Sequence, residues 1–246
     1  MPSHALPAWL ITDDSAVDHE LGVLKTGKEA DVHLIERSIP GSGASCLLAA
    51  KRYRSSEHRM FHRDSGYLEG RKTHRSRDTR AIANRTRYGR DVISQQWAKA
   101  EFTALTRLWT AGVPVPYPVE HRGTELLLEF VGEPDGSAAP RLAQLRPEPD
   151  ALRALWFQLV DAMLLMAAEG LTHGDLSPFN LLVHADRLVV IDLPQVVDLV
   201  ANPQSEQFLR RDVRTTCAWF LARGLPEDVA DADWLEELLR REARLL

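Results

Sequence analysis

The sequence predicts an α+β protein of two lobes, a strand-rich one followed by a helical one, and three observations carry that reading. Short apolar runs bounded by turn formers crowd the first half of the chain. A turn-rich break, Gly132-Glu133-Pro134-Asp135-Gly136, then interrupts it. Beyond the break, from about Asp150 to Glu169, apolar residues recur at helical spacing (Leu152, Leu155, Trp156, Leu159, Met163, Met166). A boundary after Val131 gives a first lobe of residues 1–131 and a second of residues 132–246.

In chain order, the first lobe is expected to open with an N-terminal helix. Val32–Ile35 and Leu47–Lys51 read as strands joined through the turn Pro40-Gly41-Ser42-Gly43. Val92 to Trp109 sets Ile93, Trp97, Ala100, Leu105 and Leu108 near helical spacing, and Gly112-Val113-Pro114-Val115-Pro116 ends that helix. Glu125 to Val131 reads as a strand. After the helix at 150–169, short strands around Leu181–Val183 and Leu188–Ile191 precede helices that run toward Leu246.

At 246 residues, 44% hydrophobic and 26% charged, the chain has the make-up of a globular protein, which excludes a collagen, a wholly disordered chain and a disulfide-stapled miniprotein. Its longest uninterrupted apolar stretch, Ala162–Ala168, is far short of the roughly 18 residues a bilayer crossing needs. Residues 1–12 lack the basic start of a secretory signal, so a cytoplasmic protein with no membrane partner is expected. Cys46 and Cys217 lie far apart and outside any C-x-x-C spacing, so neither a zinc site, a redox pair nor a disulfide is expected.

The net charge of −5 is unevenly spread, at −4 over residues 1–50, +9 over 51–90 and −10 over 91–246. The run Arg71–Arg90 has few apolar residues and no sustained period, so the segment at about 55–90 reads as a mobile basic insertion. It could hold RNA or an acidic partner, or merely solvate. The one aromatic of the Arg71–Arg90 run, Tyr88, offers poor support for base stacking.

The chemistry concentrates in Leu171–Asn180 (LTHGDLSPFN) and Val189–Leu193 (VVIDL). Asp175, Asn180 five positions on, and Asp192 at the end of an apolar strand would gather three oxygen-bearing side chains if the two strands form a hairpin. That is the equipment of phosphoryl transfer from ATP. One carboxylate orients the incoming hydroxyl, while a carboxylate and an amide hold Mg²⁺ against the phosphates. Such chemistry also demands a phosphate-covering turn, a strand lysine and a helix glutamate upstream. Thr26-Gly27-Lys28-Glu29-Ala30-Asp31-Val32 supplies the turn, Lys51 closes the strand at Leu47–Ala50, and Glu101 lies on the helix after Trp97. The side chains of Lys51, Asp175, Asn180 and Asp192 are thus predicted to converge on one ATP cleft between the lobes. His173 is read as a brace for this loop rather than a metal ligand, and His58, His62 and His74 sit in the basic insertion without ligand-like partners.

On these motifs the chain resembles the RIO-type atypical serine/threonine protein kinases. The residues that carry the resemblance are TGKEADV (Thr26–Val32), AKRYR (Ala50–Arg54), WAKAEF (Trp97–Phe102), GVPVP (Gly112–Pro116), LEFVG (Leu128–Gly132), HGDLSPFN (His173–Asn180) and IDLPQ (Ile191–Gln195). It spans about residues 20–222. The resemblance implies a two-lobed protein-kinase-like fold, ATP with Mg²⁺ (or Mn²⁺ in its place), and Ser/Thr side chains of a protein as acceptors. It makes Lys51 the phosphate-binding lysine, Glu101 its partner, Asp175 the catalytic aspartate, and Asn180 and Asp192 the metal ligands. Thr26, Gly27, Lys28, Glu29 and Val32 then cover the nucleotide, and Glu129 to Val131 form the hinge whose backbone receives adenine. Some members act mainly as ATPases through a phosphoaspartate, which would make Asp192 the phosphorylated residue.

Gly174 replaces the catalytic-loop arginine of ordinary protein kinases, so control by activation-loop phosphorylation has no evident receiver. A kinase domain alone is expected, without the winged helix of one family branch, and the compact, Arg- and Ala-rich sequence has a bacterial look. Two rivals remain at this level. One is a small-molecule phosphotransferase of the aminoglycoside or choline type, which HGDL followed by ID also resembles; the Thr26–Val32 turn and Pro194-Gln195 argue against it. The other is an ATP-gated switch that grips RNA or an acidic protein with little turnover.

Overall fold

The computed structural model describes residues 6–54 and 87–245, the side chains of 87–91 excepted, and residues 55–86 of the basic insertion lie outside the described residues. Two compact units emerge, and the division is discontinuous rather than a single cut after Val131. Of the described residues, the first unit holds 6–54, 87–103 and 117–138, and the second holds 104–116 and 139–245.

The first unit is built on a five-stranded antiparallel sheet of order β1-β2-β3-β5-β4. The strands are β1 (Val17–Thr26), β2 (Ala30–Ser38), β3 (Ser45–Tyr53), β4 (Pro118–Arg122) and β5 (Glu125–Glu129). β1 stands where the sequence suggests an N-terminal helix, and no helix lies between residues 6 and 26. Gly22, at φ +149°, has a backbone no helix admits, while Val17 and Val23 favour an extended chain that β2 can pair. β2 and β3 form the expected hairpin around Pro40–Gly43, in a register that sets Val32 opposite Lys51 and Ile35 opposite Leu48.

That register sorts the sheet into two faces. Ile35, Leu48, Ala50 and Leu127 form a buried cluster on one face, joined by Leu10, Cys46 and Val119. The alternation of strand side chains puts Val32, Leu34, Ala49, Lys51 and Leu128 on the other. Guanidinium groups tie the edge: Arg37 grips Asp18 through two bonds of 2.7 and 2.9 Å, Arg52 joins Glu20 to Glu125, and Arg54 grips Asp31. These hydrogen bonds hold the carboxyls of Asp18, Glu20 and Asp31 below the usual range. Helix α1 (Arg87–Thr110) follows, its Trp97 ring edge-on to Tyr53 of β3 at 6.3 Å.

The second unit centres on helices α2 (Pro149–Ala168), α3 (Ser205–Leu221) and α4 (Ala232–Glu242). Pro149 starts α2 where its missing N–H costs nothing. Asp231 caps α4 by accepting from the N–H groups of Asp233 and Trp234. Trp156 of α2 and Phe220 of α3, at most 1% exposed, meet edge to face at 5.2 Å. By length and composition alone α2 could cross a membrane, at a mean hydropathy of 1.5, but half of its most apolar window is buried in the fold. Two short antiparallel ladders complete the unit: β6 (Leu171–Thr172) with β9 (Val197–Asp198), and the hairpin β7 (Leu181–His184)–β8 (Arg187–Val190). The Val190 N–H donates to Pro114 O at 2.7 Å, so the Gly112–Pro116 segment docks on that hairpin. Both cysteines are free, and burial pushes the Cys217 thiol up to about 11, leaving it inert.

Two outcomes follow from this packing. Phe220→Ala is expected to cost about 3–5 kcal/mol of stability in urea unfolding followed by tryptophan fluorescence. The ties to Asp18 and Glu20 should stabilise β1 fully above the ordinary carboxylate range and fade as pH falls toward the depressed values of those two groups. Amide exchange in β1 should therefore quicken on acidification before that of β5, and Asp18→Asn should shrink the difference.

Candidate active site

Each unit carries one constellation of predicted site residues. In the first, strand alternation puts Lys51 and Tyr53 on one face of β3, and helical spacing puts Trp97 and Glu101 on one face of α1. The Lys51 ammonium donates to Glu101 Oε1 at 2.7 Å, and the Tyr53 hydroxyl donates to Glu101 Oε2. Glu101 is 1% exposed, and Lys51 lies 5.2 Å from the Tyr53 ring centroid. A carboxylate this deeply buried is tolerable because both its oxygens have charged or polar donors. Tyr53 escaped the sequence reading, although its position two residues after a strand lysine is the signal that would have found it.

The predicted phosphate turn is the β1–β2 connection. The Gly27 N–H donates to Ala30 O at 3.0 Å, and a Cβ on residue 27 would lie 2.7 Å from that same carbonyl. The turn is therefore tight as well as glycine-dependent. Lys28 and Glu29 are exposed at its tip, and Val32 stands beside Lys51 across the β2–β3 ladder. The Thr26 hydroxyl contributes to holding Asp31 ionised, behind the stronger contribution of Arg54. At the other end of the sheet, the Glu129 carboxylate accepts from the Tyr117 N–H at 2.9 Å, and the Glu129 N–H donates to Tyr117 O. Half-buried Val131 follows directly after β5.

In the second unit, the loop between β6 and β7 is organised by hydrogen bonds to its backbone. His173 is 1% exposed and accepts from the Asp175 N–H at Nδ1 (3.3 Å), which leaves the proton on Nε2 to be donated to Ile191 O (3.0 Å). It braces the loop, as the sequence reading expects, and ties it to the residue before Asp192. The Asn180 amide donates to Asp175 O at 3.0 Å, which keeps its Oδ1 available, and the Ile191 N–H donates to Asn180 O at 3.0 Å. Asn180 and Asp192 are thus brought side by side, while the Asp175 carboxylate points to solvent at 62% exposure. Asp192 itself has φ +68°, a left-handed backbone that side chains rarely adopt. Among the described residues no three His, Cys, Asp or Glu side chains cluster as metal ligands.

Two further residues, both from α3, hold this loop. Asp212 is fully buried; it accepts from the Thr172 hydroxyl (2.9 Å) and from the N–H groups of Gly174 (2.7 Å) and Leu176 (2.9 Å). Burial pushes its carboxyl above the ordinary range, against the pull of His173 and of those three donors. Arg211 donates to Gly174 O and lies 3.8 Å from the Asp175 carboxylate. Sequence reasoning missed both, although an aspartate within the apolar stripe Leu209, Val213, Thr216, Cys217, Phe220 is a visible anomaly.

Gly174 now has a physical explanation. Its φ is +82°, and a Cβ there would meet Gln195 O at 2.4 Å and Val197 Cγ2 at 2.9 Å. No arginine fits at that position, and the guanidinium beside Asp175 arrives from α3 instead. Gly174→Ala should accordingly disrupt the loop, seen as lost amide-exchange protection at Leu176 with the α2–α3 core intact. Asp212→Ala should cost at least about 3 kcal/mol in chemical unfolding, because three buried donors lose their acceptor, whereas Asp212→Asn should cost less.

Comparison with known proteins completes the description. The family model for the RIO domain matches residues 47–232. The RIO-type serine/threonine-protein kinase Rio1 of Haloferax volcanii is 34% identical over 231 residues, covering 94% of this chain and 72% of that protein. The serine/threonine-protein kinase RIO1 of Saccharomyces cerevisiae is 29% identical over 242 residues, and there the chain spans only 48% of its relative. Among solved structures, the Rio2 kinase from Chaetomium thermophilum superposes with a TM-score of 0.61 at 21% identity, over 92% of this chain and 72% of that one. Its complex described as ADP/Mg²⁺-phosphoaspartate gives a TM-score of 0.60, over 92% of this chain and 70% of that one. The likeness establishes a kinase-like fold, a strand-rich lobe and a helical lobe.

Proposed function

The chain belongs to the RIO domain family, and from that premise we propose that it transfers the γ-phosphoryl group of ATP to a serine or threonine hydroxyl of a protein. Autophosphorylation and ATP hydrolysis are the routes open to it without an acceptor. The observation that carries this reading is the hydrogen-bonded loop in which His173 and Asn180 fix the backbone of Asp175 beside the strand end at Asp192.

Each constellation supports one part of the reaction. The Lys51 ammonium, steered by the buried Glu101, suits the α- and β-phosphates as a positioned point charge. Val32, Leu34, Ala49 and Leu128 give the same sheet face an apolar floor for the base, with the backbone of Glu129–Val131 as adenine partner. The Gly27 turn, with Thr26, Lys28 and Glu29, covers the phosphates. The exposed Asp175 carboxylate takes or orients the proton of the acceptor hydroxyl.

Asn180 Oδ1 and the Asp192 carboxylate are hard oxygen donors, the set that suits Mg²⁺ and equally Mn²⁺. When bound, the ion neutralises charge on the phosphates. Asp192 is also the candidate for transient phosphorylation, its carboxylate oxygen taking the γ-phosphoryl group as ADP leaves and water later releasing phosphate.

The small-molecule phosphotransferase reading is not favoured for a chain matched by the RIO model over residues 47–232. Turnover separates the proposal from a binding switch. With γ-labelled ATP and Mg²⁺, label is expected on a protein, either this chain or an added substrate. Asp175→Asn should lower transfer by about 10²–10⁴-fold while Mg·ATP binding persists. Equal loss of nucleotide binding in that variant would overturn the assignment.

A further inference from the structure

In the helical unit, a pocket of about 460 Å³ is lined by Arg146, Pro147, Ala222 and Arg223. Arg146 and Pro147 lead into α2, and Ala222 and Arg223 follow the end of α3. Arginines of α3 and α4 show what these two lack: Arg210, Arg214, Arg240 and Arg241 each hold a carboxylate at 2.6–3.0 Å, and Arg211 lies 3.8 Å from that of Asp175. Among the described residues neither Arg146 nor Arg223 makes an ion pair, and the acids nearest to Arg146 in sequence, Glu148 and Asp150, pair with neither.

Arg223 stacks on the Trp219 ring at 3.7 Å, and its terminal nitrogen makes a long 3.5 Å bond to Trp219 O. Its Nε is buried and, like that of Arg240, has no hydrogen-bond partner; unlike Arg240, it has no carboxylate beside it. Stacking accounts for the plane of the guanidinium but leaves that N–H without an acceptor, an arrangement native proteins seldom keep without a reason. Lost hydration and the facing charge of Arg146 both work against the charged form of Arg223, yet a guanidinium stays charged. Glu148 contributes no side-chain cap to α2, so the first turn of this 20-residue helix adds partial positive charge on the Arg146–Pro147 side.

We propose that this pocket is a binding site for a phosphate monoester group, with Arg146 and Arg223 sharing one dianion. Two guanidinium forks match the oxygens of a tetrahedral phosphate, and two cations match its double charge, where a single carboxylate would balance only one. At roughly 30 Å³ per water, the pocket has room for the phosphate and for the group that carries it. The phosphate could be free or borne on a serine or threonine of a protein, and the experiment separates the two.

The full-length chain is melted with inorganic phosphate, and with sodium chloride at matched ionic strength, alongside Arg146→Gln and Arg223→Lys. Wild type should be stabilised by phosphate beyond the chloride effect. Arg146→Gln should weaken the apparent phosphate affinity at least about tenfold, as expected for a lost charge-assisted contact, with ADP affinity unchanged. Arg223→Lys keeps the charge but loses the fork and should fall between; should it fail to fold, Arg146→Gln alone decides. Arg146→Glu, which supplies the missing counter-charge, should melt above wild type without phosphate and no longer respond to it.

A phosphoserine peptide and its unphosphorylated twin then identify the source. Tighter binding of the phosphopeptide than of inorganic phosphate assigns a protein-borne group, and binding of inorganic phosphate alone assigns free phosphate. An equal phosphate response in wild type and Arg146→Gln, or no response beyond chloride, overturns the proposal.

Discussion

The loop between β6 and β7 depends on one buried carboxylate. Asp212 enters from α3 and takes hydrogen bonds from Thr172, Gly174 and Leu176, three residues of a stretch that forms almost no regular structure of its own. A loop without ladder bonds must find acceptors for its N–H groups elsewhere. A single ion on a rigid helix, with the apolar stripe of α3 packed around it, can serve several at once. Burial makes that ion expensive unless every lone pair is used, so the loop and the carboxylate stabilise each other or neither is stable.

The same economy recurs in the sheet unit. Glu101 is buried like the apolar core there, and it takes hydrogen bonds from Lys51 and Tyr53, two residues apart on one strand. The pairing fixes the register between α1 and β3 and holds the lysine head group in one place. Exposed ties such as Arg37–Asp18 and Arg52–Glu20 hold the edge strand β1, where each contributes little and salt screens it. Buried charge here positions functional atoms, and exposed charge secures the sheet margin.

Set against these satisfied charges, Arg146 and Arg223 line one pocket and make no ion pair among the described residues, Arg223 being held by its stack on Trp219 and a long bond to Trp219 O. A protein that places a buried carboxylate under three donors at one loop, and leaves two facing cations unpaired at another, treats the two sites differently. The difference is intelligible when the missing partner comes from outside the chain.

Much of the fold was legible from local pattern. The Pro40–Gly43 hairpin, the helices near 92–109 and 150–169, and the β7–β8 hairpin all announce themselves through period and turn chemistry, and the spacing of Asp175, Asn180 and Asp192 is the sequence signal behind the proposed chemistry. β1 and β4 escaped the sequence reading: β1 buries none of its residues and β4 is only five residues long, so pairing rather than an apolar face defines them. What only the tertiary structure decided is who supports the site. Asp212 and Arg211 lie more than thirty residues from the loop they hold. Tyr53 reaches Glu101 across a helix–strand contact, and Gly174 is required by the carbonyl of Gln195. Local sequence encodes backbone preference and the kinds of side chain a reaction needs. The hydrogen-bond partners that satisfy those groups are chosen by packing between distant segments, and no short-range pattern records them.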